Sequence, residues 1–362
     1  MFFSVSAVNT GPSRWQKVAC LSEPLLIKER VHCLGWWLMV FYFVFGSLFL
    51  INNVRAAEKV SALASDSGSV EGGLKKEDEY GALDLVPYRT LFVIDDDLLQ
   101  LPSDVAVDRK GRIYILDGTD SIVRIYSKSG KPLSTLGDQS TLNLPMGLDV
   151  SPDGGVLVAD SGNHRVVFFP VAAANPVLFD LPIPVDGNPA DPTDVVFGQH
   201  YDTFFVVDND NHRVLALDME GRVLWSSGRM GRNPGEFRFP FMLDRNKEGN
   251  IFIVEVINTR VQVLDKDGEY VRFIGDWGIE AGQFFRPKGV TVESLGKLFV
   301  SDSYLGVIQI FTTGGEFVGA VGDETGTLRK FTTPMGITAS GKRLHVIEMY
   351  SNRLVVLERE GP

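Results

Sequence analysis

Four aspartates are the residues of this 362-residue chain whose type and spacing could do chemistry. Asp104, Asp149, Asp194 and Asp244 fall in four successive copies of a short motif that begins with a proline. Carboxylate oxygens converging from neighbouring segments suit Ca²⁺ better than Zn²⁺. The other interpretation is that each aspartate lies in a channel mouth or a turn, where water solvates it. The sequence leaves both readings open: a calcium-type metal site, or no cofactor.

The repetition of the motif predicts the elements that position these aspartates. The motif occurs six times, and successive prolines are 43, 47, 48, 47 and 47 residues apart. A unit of this length has room for four short strands, and it must stack against neighbours to bury both faces of its small sheet. The motif begins at Pro102, Pro145, Pro192, Pro240, Pro287 and Pro334.

An acid ends the second predicted strand of every copy, and in four copies an arginine follows five residues later. An Arg fork and a carboxylate at this spacing predict a structural ion pair within the hairpin rather than a ring of binding sites. Copies one and five differ, because Ile122 and Val307 occupy the arginine position. The four pairs are Asp160 with Arg165, Asp208 with Arg213, Glu255 with Arg260, and Glu348 with Arg353.

The clearest single copy reads Ala-Asp-Ser-Gly-Asn-His-Arg-Val over residues 159–166. Together with the proline motif, it resembles the NHL-repeat family, and the resemblance covers about residues 86–358. It implies an all-β fold, a six-bladed β-propeller whose first strands line a central channel. The last copy stops after three strands, and residues 88–94 are predicted to supply the missing one. Closing the ring in this way removes exposed sheet edges.

The N-terminal region predicts export. Residues 34–51 form an uncharged apolar run of 18, which is close to the roughly 20 residues of a membrane span and also compatible with a signal-peptide core. Basic residues precede the run, so the N-terminus is expected in the cytoplasm. We divide the chain into an N-terminal extension (1–33), a signal-peptide core or membrane anchor (34–56), a flexible polar linker (57–85) and the propeller (86–362). The propeller is therefore expected in the periplasm or anchored to the inner membrane.

Composition narrows the possible partners. Cys20 and Cys33 both lie in the leader, so the exported part has neither disulfides nor cysteine metal ligands. Removing residues 1–57 takes away five basic and two acidic residues, which leaves 30 basic and 44 acidic residues and a net charge of −14. Nucleic acid is not an expected partner, because neutralising phosphates requires clustered Lys and Arg.

Two classes of function remain. One is a monomeric, non-catalytic binding or scaffold propeller with a protein or ligand partner in the cell envelope. The other, implied by the resemblance, is a divalent-metal lyase or lactone hydrolase with the four aspartates near the metal. The exported histidines argue against a His-rich metal site because none lies on a first strand, and we predict no catalytic residue. These histidines are His164, His200, His212 and His345.

An aromatic and cationic cluster favours the binding module. It falls in the loops that enter copies four and five and at the start of the strands that follow them. Aromatic and Arg residues commonly anchor protein interfaces. The predicted partner contacts are Arg232, Phe241, Trp277, Arg286 and Lys288.

Overall fold

The computed structural model describes residues 83–95, 97–171 and 175–360. They belong to one compact unit, Glu77–Pro362, and apart from two 3₁₀ turns at Ser161–Asn163 and Met349–Ser351 their regular structure is β. Within these ranges no helix is long and apolar enough to cross a membrane. The predicted N-terminal extension, leader and most of the linker lie outside the described residues.

Each repeat contributes an antiparallel sheet whose strands follow one another in sequence order. The first contains β2 (Pro102–Val107), β3 (Ile113–Asp117), β4 (Ile122–Tyr126) and β5 (Pro132–Leu136). The second contains β6 (Pro145–Val150), β7 (Val156–Asp160), β8 (Arg165–Phe169) and β9 (Val177–Asp180). The third contains β10 (Pro192–Phe197), β11 (Thr203–Asp208), β12 (Arg213–Asp218) and β13 (Val223–Ser227). The fourth contains β14 (Pro240–Arg245), β15 (Ile251–Glu255), β16 (Arg260–Leu264) and β17 (Tyr270–Ile274).

The last two repeats share one eight-stranded sheet with the N-terminal strand. The strands of the fifth repeat are β20 (Pro287–Val292), β21 (Lys297–Asp302), β22 (Val307–Thr312) and β23 (Phe317–Gly322). Those of the sixth are β24 (Pro334–Ser340), β25 (Arg343–Glu348) and β26 (Arg353–Arg359). The remaining strands are β1 (Leu85–Ile94) and the short pair β18 (Asp276–Trp277) and β19 (Gln283–Phe284).

The strand β1 joins the two parts of this large sheet. Its first residues, Leu85–Pro87, pair in parallel with β23, and Tyr88–Ile94 pair antiparallel with β26. Residues 88–94 form a strand as predicted, and this strand begins three residues earlier, at Leu85.

The repeat motif explains the position of each strand. A proline begins each of the six first strands, where its missing N–H costs least. Second strands are almost wholly buried, as in β7 and β15, whereas an outer strand such as β5 is mostly exposed. Each first strand contacts the next first strand along the chain, and β24 also contacts β2. The chain therefore has a β-propeller fold, with the first strands at its centre.

Candidate functional site

The acids that end the second strands place two sets of loops at one end of the molecule. In every repeat this acid accepts a hydrogen bond from a backbone N–H one or two residues before the first-strand proline. In the first repeat, for example, the Gln100 N–H donates to Asp117 Oδ2 at 3.0 Å. We call these loops and the turns after the second strands the loop face. The turns between first and second strands and those between third and fourth strands lie at the other end and form the turn face.

The predicted ion pairs lie beneath the loop face. The Nε of Arg165 lies 2.9 Å from Asp160, that of Arg213 lies 2.8 Å from Asp208, and that of Arg260 lies 2.5 Å from Glu255. Arg353 pairs with Glu348 in the same way. All four acids are buried. The forks of Arg165 and Arg213 also donate to carbonyl groups of the loop that enters the same repeat, for example from Arg165 to the Thr141 O at 2.8 Å, so the arrangement is structural.

The two repeats that lack this arginine satisfy their acids differently. In the first repeat Arg124, two residues beyond Ile122, places its Nε 3.0 Å from Asp117. In the fifth repeat no ion pair to Asp302 occurs among the described residues, and four backbone N–H groups donate to its carboxylate. The donors are those of Phe285, Arg286, Tyr304 and Leu305.

The four predicted channel aspartates line a single cavity of about 50 Å³ at the centre of the propeller. Each accepts a hydrogen bond from a backbone N–H of the next repeat, so each bridges two neighbouring first strands. The bonds run from Leu148 to Asp104 (2.9 Å), Phe197 to Asp149 (2.8 Å), Leu243 to Asp194 (2.9 Å) and Val292 to Asp244 (2.7 Å).

Burial perturbs these carboxyl groups. It raises the pKa of Asp104 and that of Asp149 to about 7, although the backbone donors oppose the shift. Burial also raises the pKa of Asp194 well above its usual range, with the charge of Asp104 adding to the effect, and it raises that of Asp244. A buried carboxyl whose charge is disfavoured by desolvation and by like charges tends to hold its proton. The cavity therefore favours protonated forms over four free charges.

The same geometry bears on the predicted calcium-type site. Among the described residues, no three His, Cys, Asp or Glu side chains are grouped so that they could hold a metal ion. The aspartate oxygens are instead used by backbone donors, and Asp244 also accepts from the Thr291 hydroxyl at 3.0 Å. The donor set as it stands does not fit a metal. The aspartates thus join neighbouring repeats by hydrogen bonds, a role that neither interpretation of the sequence predicted.

The predicted partner contacts are distributed over the loop face and the channel mouth. Trp277 is 67% exposed and Arg232 is exposed, whereas Phe241 is buried, at 9%. The Nζ of Lys288 lies 4.2 Å from the centroid of the Phe241 ring, and Arg286 acts electrostatically on Lys288. The structure thus brings Phe241, Arg286 and Lys288 together, and Phe241 contributes beneath the surface rather than on it. No contact links Arg232 or Trp277 to these three within the part of the chain that the structure describes.

Large exposed apolar side chains are concentrated on the loop face. Among the described residues the turn face carries three, Val171, Tyr201 and Leu295. Sequence reasoning missed most of the loop-face set, because a single apolar residue in a loop carries no periodic signal. The loop face carries twelve: Leu98, Leu101, Leu144, Ile183, Val185, Met230, Phe239, Ile257, Trp277, Ile279, Tyr304 and Tyr350.

Comparison with known proteins identifies the repeat and the fold. The sequence profile of the NHL repeat matches residues 142–169. No curated protein sequence matches the chain significantly.

Solved structures similar to this chain are propeller proteins. A streptogramin B lyase has a TM-score of 0.57 and 13% identity, covering 74% of this chain and 98% of that one. A catalytically inactive virginiamycin B lyase from Staphylococcus aureus with quinupristin has a TM-score of 0.57 and 14% identity, covering 76% and 99%. A β-propeller domain from Myceliophteria thermophila has a TM-score of 0.52 and 12% identity, covering 72% and 98%. At these identities the likeness establishes the fold alone.

Proposed function

We propose that this chain is an exported, non-catalytic binding propeller whose loop face holds a protein partner in the cell envelope. The observation that carries the proposal is the concentration of large exposed apolar side chains on the loop face, twelve against three on the turn face among the described residues. Large apolar side chains left exposed together on one face favour an interaction site there. The aromatic residues Trp277, Tyr304 and Tyr350 belong to the types that anchor interfaces.

The proposed scaffold has six blades, with β1 as the fourth strand of the last one. Its support is the antiparallel pairing of Tyr88–Ile94 with β26 and the contact between β24 and β2. A ring closed by both chain ends leaves no open sheet edge, which suits a rigid monomeric platform.

The proposed location rests on the sequence. The apolar run at 34–51 with basic residues before it directs the propeller out of the cytoplasm, and the polar stretch at 57–85 serves as a tether. If the N-terminal segment is retained, it anchors the chain to the membrane. We do not expect nucleic acid as a partner of so acidic a domain.

The alternative is a divalent-metal lyase or lactone hydrolase that uses the channel. One observation favours it: Asp104, Asp149, Asp194 and Asp244 line a single cavity. Against it, their oxygens accept backbone hydrogen bonds that join neighbouring repeats, for example from Leu243 to Asp194. Elemental analysis of the full chain, with thermal unfolding in chelator and in added Ca²⁺, separates the two. We expect no stoichiometric metal and an unchanged midpoint; a bound metal whose removal lowers the midpoint would favour the enzyme.

Photo-crosslinking in the native host tests the binding module. A crosslinking amino acid replaces either Tyr304 or Leu295, which lie beyond opposite ends of β21 and are 53% and 75% exposed. We expect a discrete crosslinked partner from position 304 and none from position 295. Equal products at both positions, or no product at either, would contradict the proposal.

A further inference from the structure

The side chains that follow the six first-strand prolines form a ring at the loop-face end of the channel. Because these residues share one repeat position on six first strands that contact one another in sequence order, they surround a common mouth. Phe241 and Met335 are buried in the same apolar cluster, against which Met146 also packs. Five of the six side chains are uncharged, and the sixth is a lysine. The ring consists of Ser103, Met146, Thr193, Phe241, Lys288 and Met335.

The lysine of this ring has no acidic partner. Among the described residues, no carboxylate lies within ion-pair distance of Lys288 or of Arg286, whereas Arg165, Arg213 and Arg260 are each paired. Burial, followed by repulsion from Arg286, lowers the pKa of Lys288 to about 8. The amine is therefore mostly charged at pH 7, half-buried and without a counter-ion. A charge in this situation gains free energy from an incoming anion.

A second polar group at the mouth is also unsatisfied. The Ser103 hydroxyl is buried, and within the described part of the chain it has no hydrogen-bond partner. Buried hydroxyl groups normally have one. The mouth thus combines an unpaired cation, an unpaired hydroxyl and apolar walls.

The rim around the mouth is apolar and strained. Leu101, Leu144 and Phe239 stand immediately before first-strand prolines, and they are 44%, 54% and 40% exposed. Their backbones have φ values of 55°, 48° and 52°, in the left-handed region that bulky residues rarely adopt. Such strain costs roughly 1–3 kcal/mol per residue and concentrates at ligand-binding sites. Thr333, at the same repeat position, has a φ of 52°, so the conformation belongs to the repeat. The exposed apolar side chains of the other three residues are what favours an apolar ligand.

We propose that the channel mouth binds the free C-terminal carboxylate of an apolar polypeptide tail, with the carboxylate at Lys288 and Arg286 and the last side chain against the exposed Phe239 and the half-buried Met146. The inference rests on the proposed function, since it specifies which part of a partner the loop face holds. A chain end suits the site because the lysine is half-buried whereas the rim residues are exposed, so a terminal carboxylate can reach the amine while the rest of the ligand stays on the loop face. Arg and Lys side chains at the ends of apolar pockets recognise carboxylates by charge-assisted hydrogen bonds.

Binding of matched peptide pools tests the site. The full-length chain is equilibrated at pH 7 with a pool of N-acetylated tripeptides of Leu, Phe and Val that carry free C-termini, and with the same pool as C-terminal amides. We expect the bound fraction of the carboxylate pool to exceed that of the amide pool at least tenfold. Lys288→Gln should abolish this preference, with an unchanged unfolding midpoint as the control for folding. Equal binding of the two pools, or a preference that survives Lys288→Gln, would overturn the proposal.

The pH dependence of the preference for the carboxylate pool tests whether the charge of Lys288 itself causes that preference. Arg286 is the charged group that acts on Lys288, and the other five members of the ring do not titrate. At pH 10 the wild-type amine is neutral, so the preference should fall at least fivefold, whereas Lys288→Arg should keep it because the guanidinium stays charged. A wild-type preference that persists at pH 10 would count against the lysine.

A fatty acid could present similar chemistry, and decanoate serves as the competing probe. Displacement of the carboxylate peptides by an equimolar amount of decanoate would overturn the assignment to a polypeptide tail; no displacement supports it. The crosslinking experiment tests the proposed function independently of the carboxylate site. A partner crosslinked at position 304 together with equal binding of the two pools would leave the binding module standing and remove the carboxylate site.

Discussion

The interior of the central channel has acidic side chains and its mouth has a basic one, and the fold engages them in different ways. In the interior, each aspartate accepts a backbone hydrogen bond from the neighbouring repeat, as Asp194 does from Leu243 at 2.9 Å. At the mouth, Lys288 has an aromatic ring beneath it and, among the described residues, no acid beside it. The acids are bonded into the framework, and we propose that the lysine is available to a ligand.

Close packing around the acids supports this distinction. A Cβ atom added to Gly147 would lie 2.3 Å from Asp194 Oδ1, and one added to Gly336 would lie 2.4 Å from Asp104 Oδ1. The glycine of one repeat therefore makes room for the carboxyl of the next. Groups held this tightly between backbones serve packing between repeats better than exchange of ligands.

Removal of an interior acid should have the largest effect. Asp194 accepts from the Val195 N–H at 2.8 Å and from the Leu243 N–H at 2.9 Å. Asp194→Ala would leave both buried N–H groups without an acceptor, so we expect the free energy of unfolding to fall by about 2–4 kcal/mol. Urea denaturation measures the change.

The matched control is Asp210→Ala, since Asp210 is an exposed aspartate in the same repeat. Its replacement should change the free energy of unfolding by less than about 0.5 kcal/mol. Similar effects of the two substitutions would remove the distinction between framework acids and surface acids.

The second prediction concerns the pH dependence of stability. The pKa values of Asp104 and Asp149 are raised to about 7 in the folded chain, from 3.8. Between these values the folded state binds more protons than the unfolded state, so the contribution of these groups to stability is complete below pH 4 and is lost as the pH rises through 7. We expect the free energy of unfolding to be lower at pH 8 than at pH 5, by on the order of 2 kcal/mol.

One buried histidine works in the opposite direction. Burial lowers the pKa of His345 to about 4, so its contribution to stability grows as the pH rises from 4 to 6.5. The variant Asp149→Asn, which cannot titrate, should have a smaller decline between pH 5 and pH 8 than the wild type. Urea denaturation at the two pH values gives the comparison, and a stability that rises over this interval in the wild type would contradict the proton-holding interior.

The sequence predicts the framework better than it predicts the mouth. The repeated prolines, the second-strand acids and the strand near residue 88 follow from local pattern, because period and turn chemistry act over a few residues. The bond from Leu243 to Asp194 joins residues 49 positions apart, and no local signal specifies which backbone a carboxyl meets. Likewise, Arg124 takes the place of the arginine missing at Ile122, which is visible only once the hairpin register is known. Lys288 has no acidic partner because none of its described neighbours in the fold is a carboxylate. A sequence pattern does not show which residues are neighbours in the fold, so it could not predict this.

The smallest effect should come from the mouth itself. Lys288→Met removes a half-buried charge without an acidic partner and keeps an unbranched side chain against Phe241, so at pH 7 we expect stability to stay equal or to rise by up to about 1 kcal/mol.

The sign of the lysine's own pH dependence makes this a strict test. Because the pKa of Lys288 is lowered to about 8 in the folded chain, from 10.5, the unfolded state binds more protons between these values. Stability of the wild type should therefore gain from this group as the pH rises from 8 to 10.5, and the Met variant should lack that gain. A marked loss of stability in Lys288→Met at pH 7 would mean that the lysine is bonded into the framework as the aspartates are, and the contrast between the two ends of the channel would disappear.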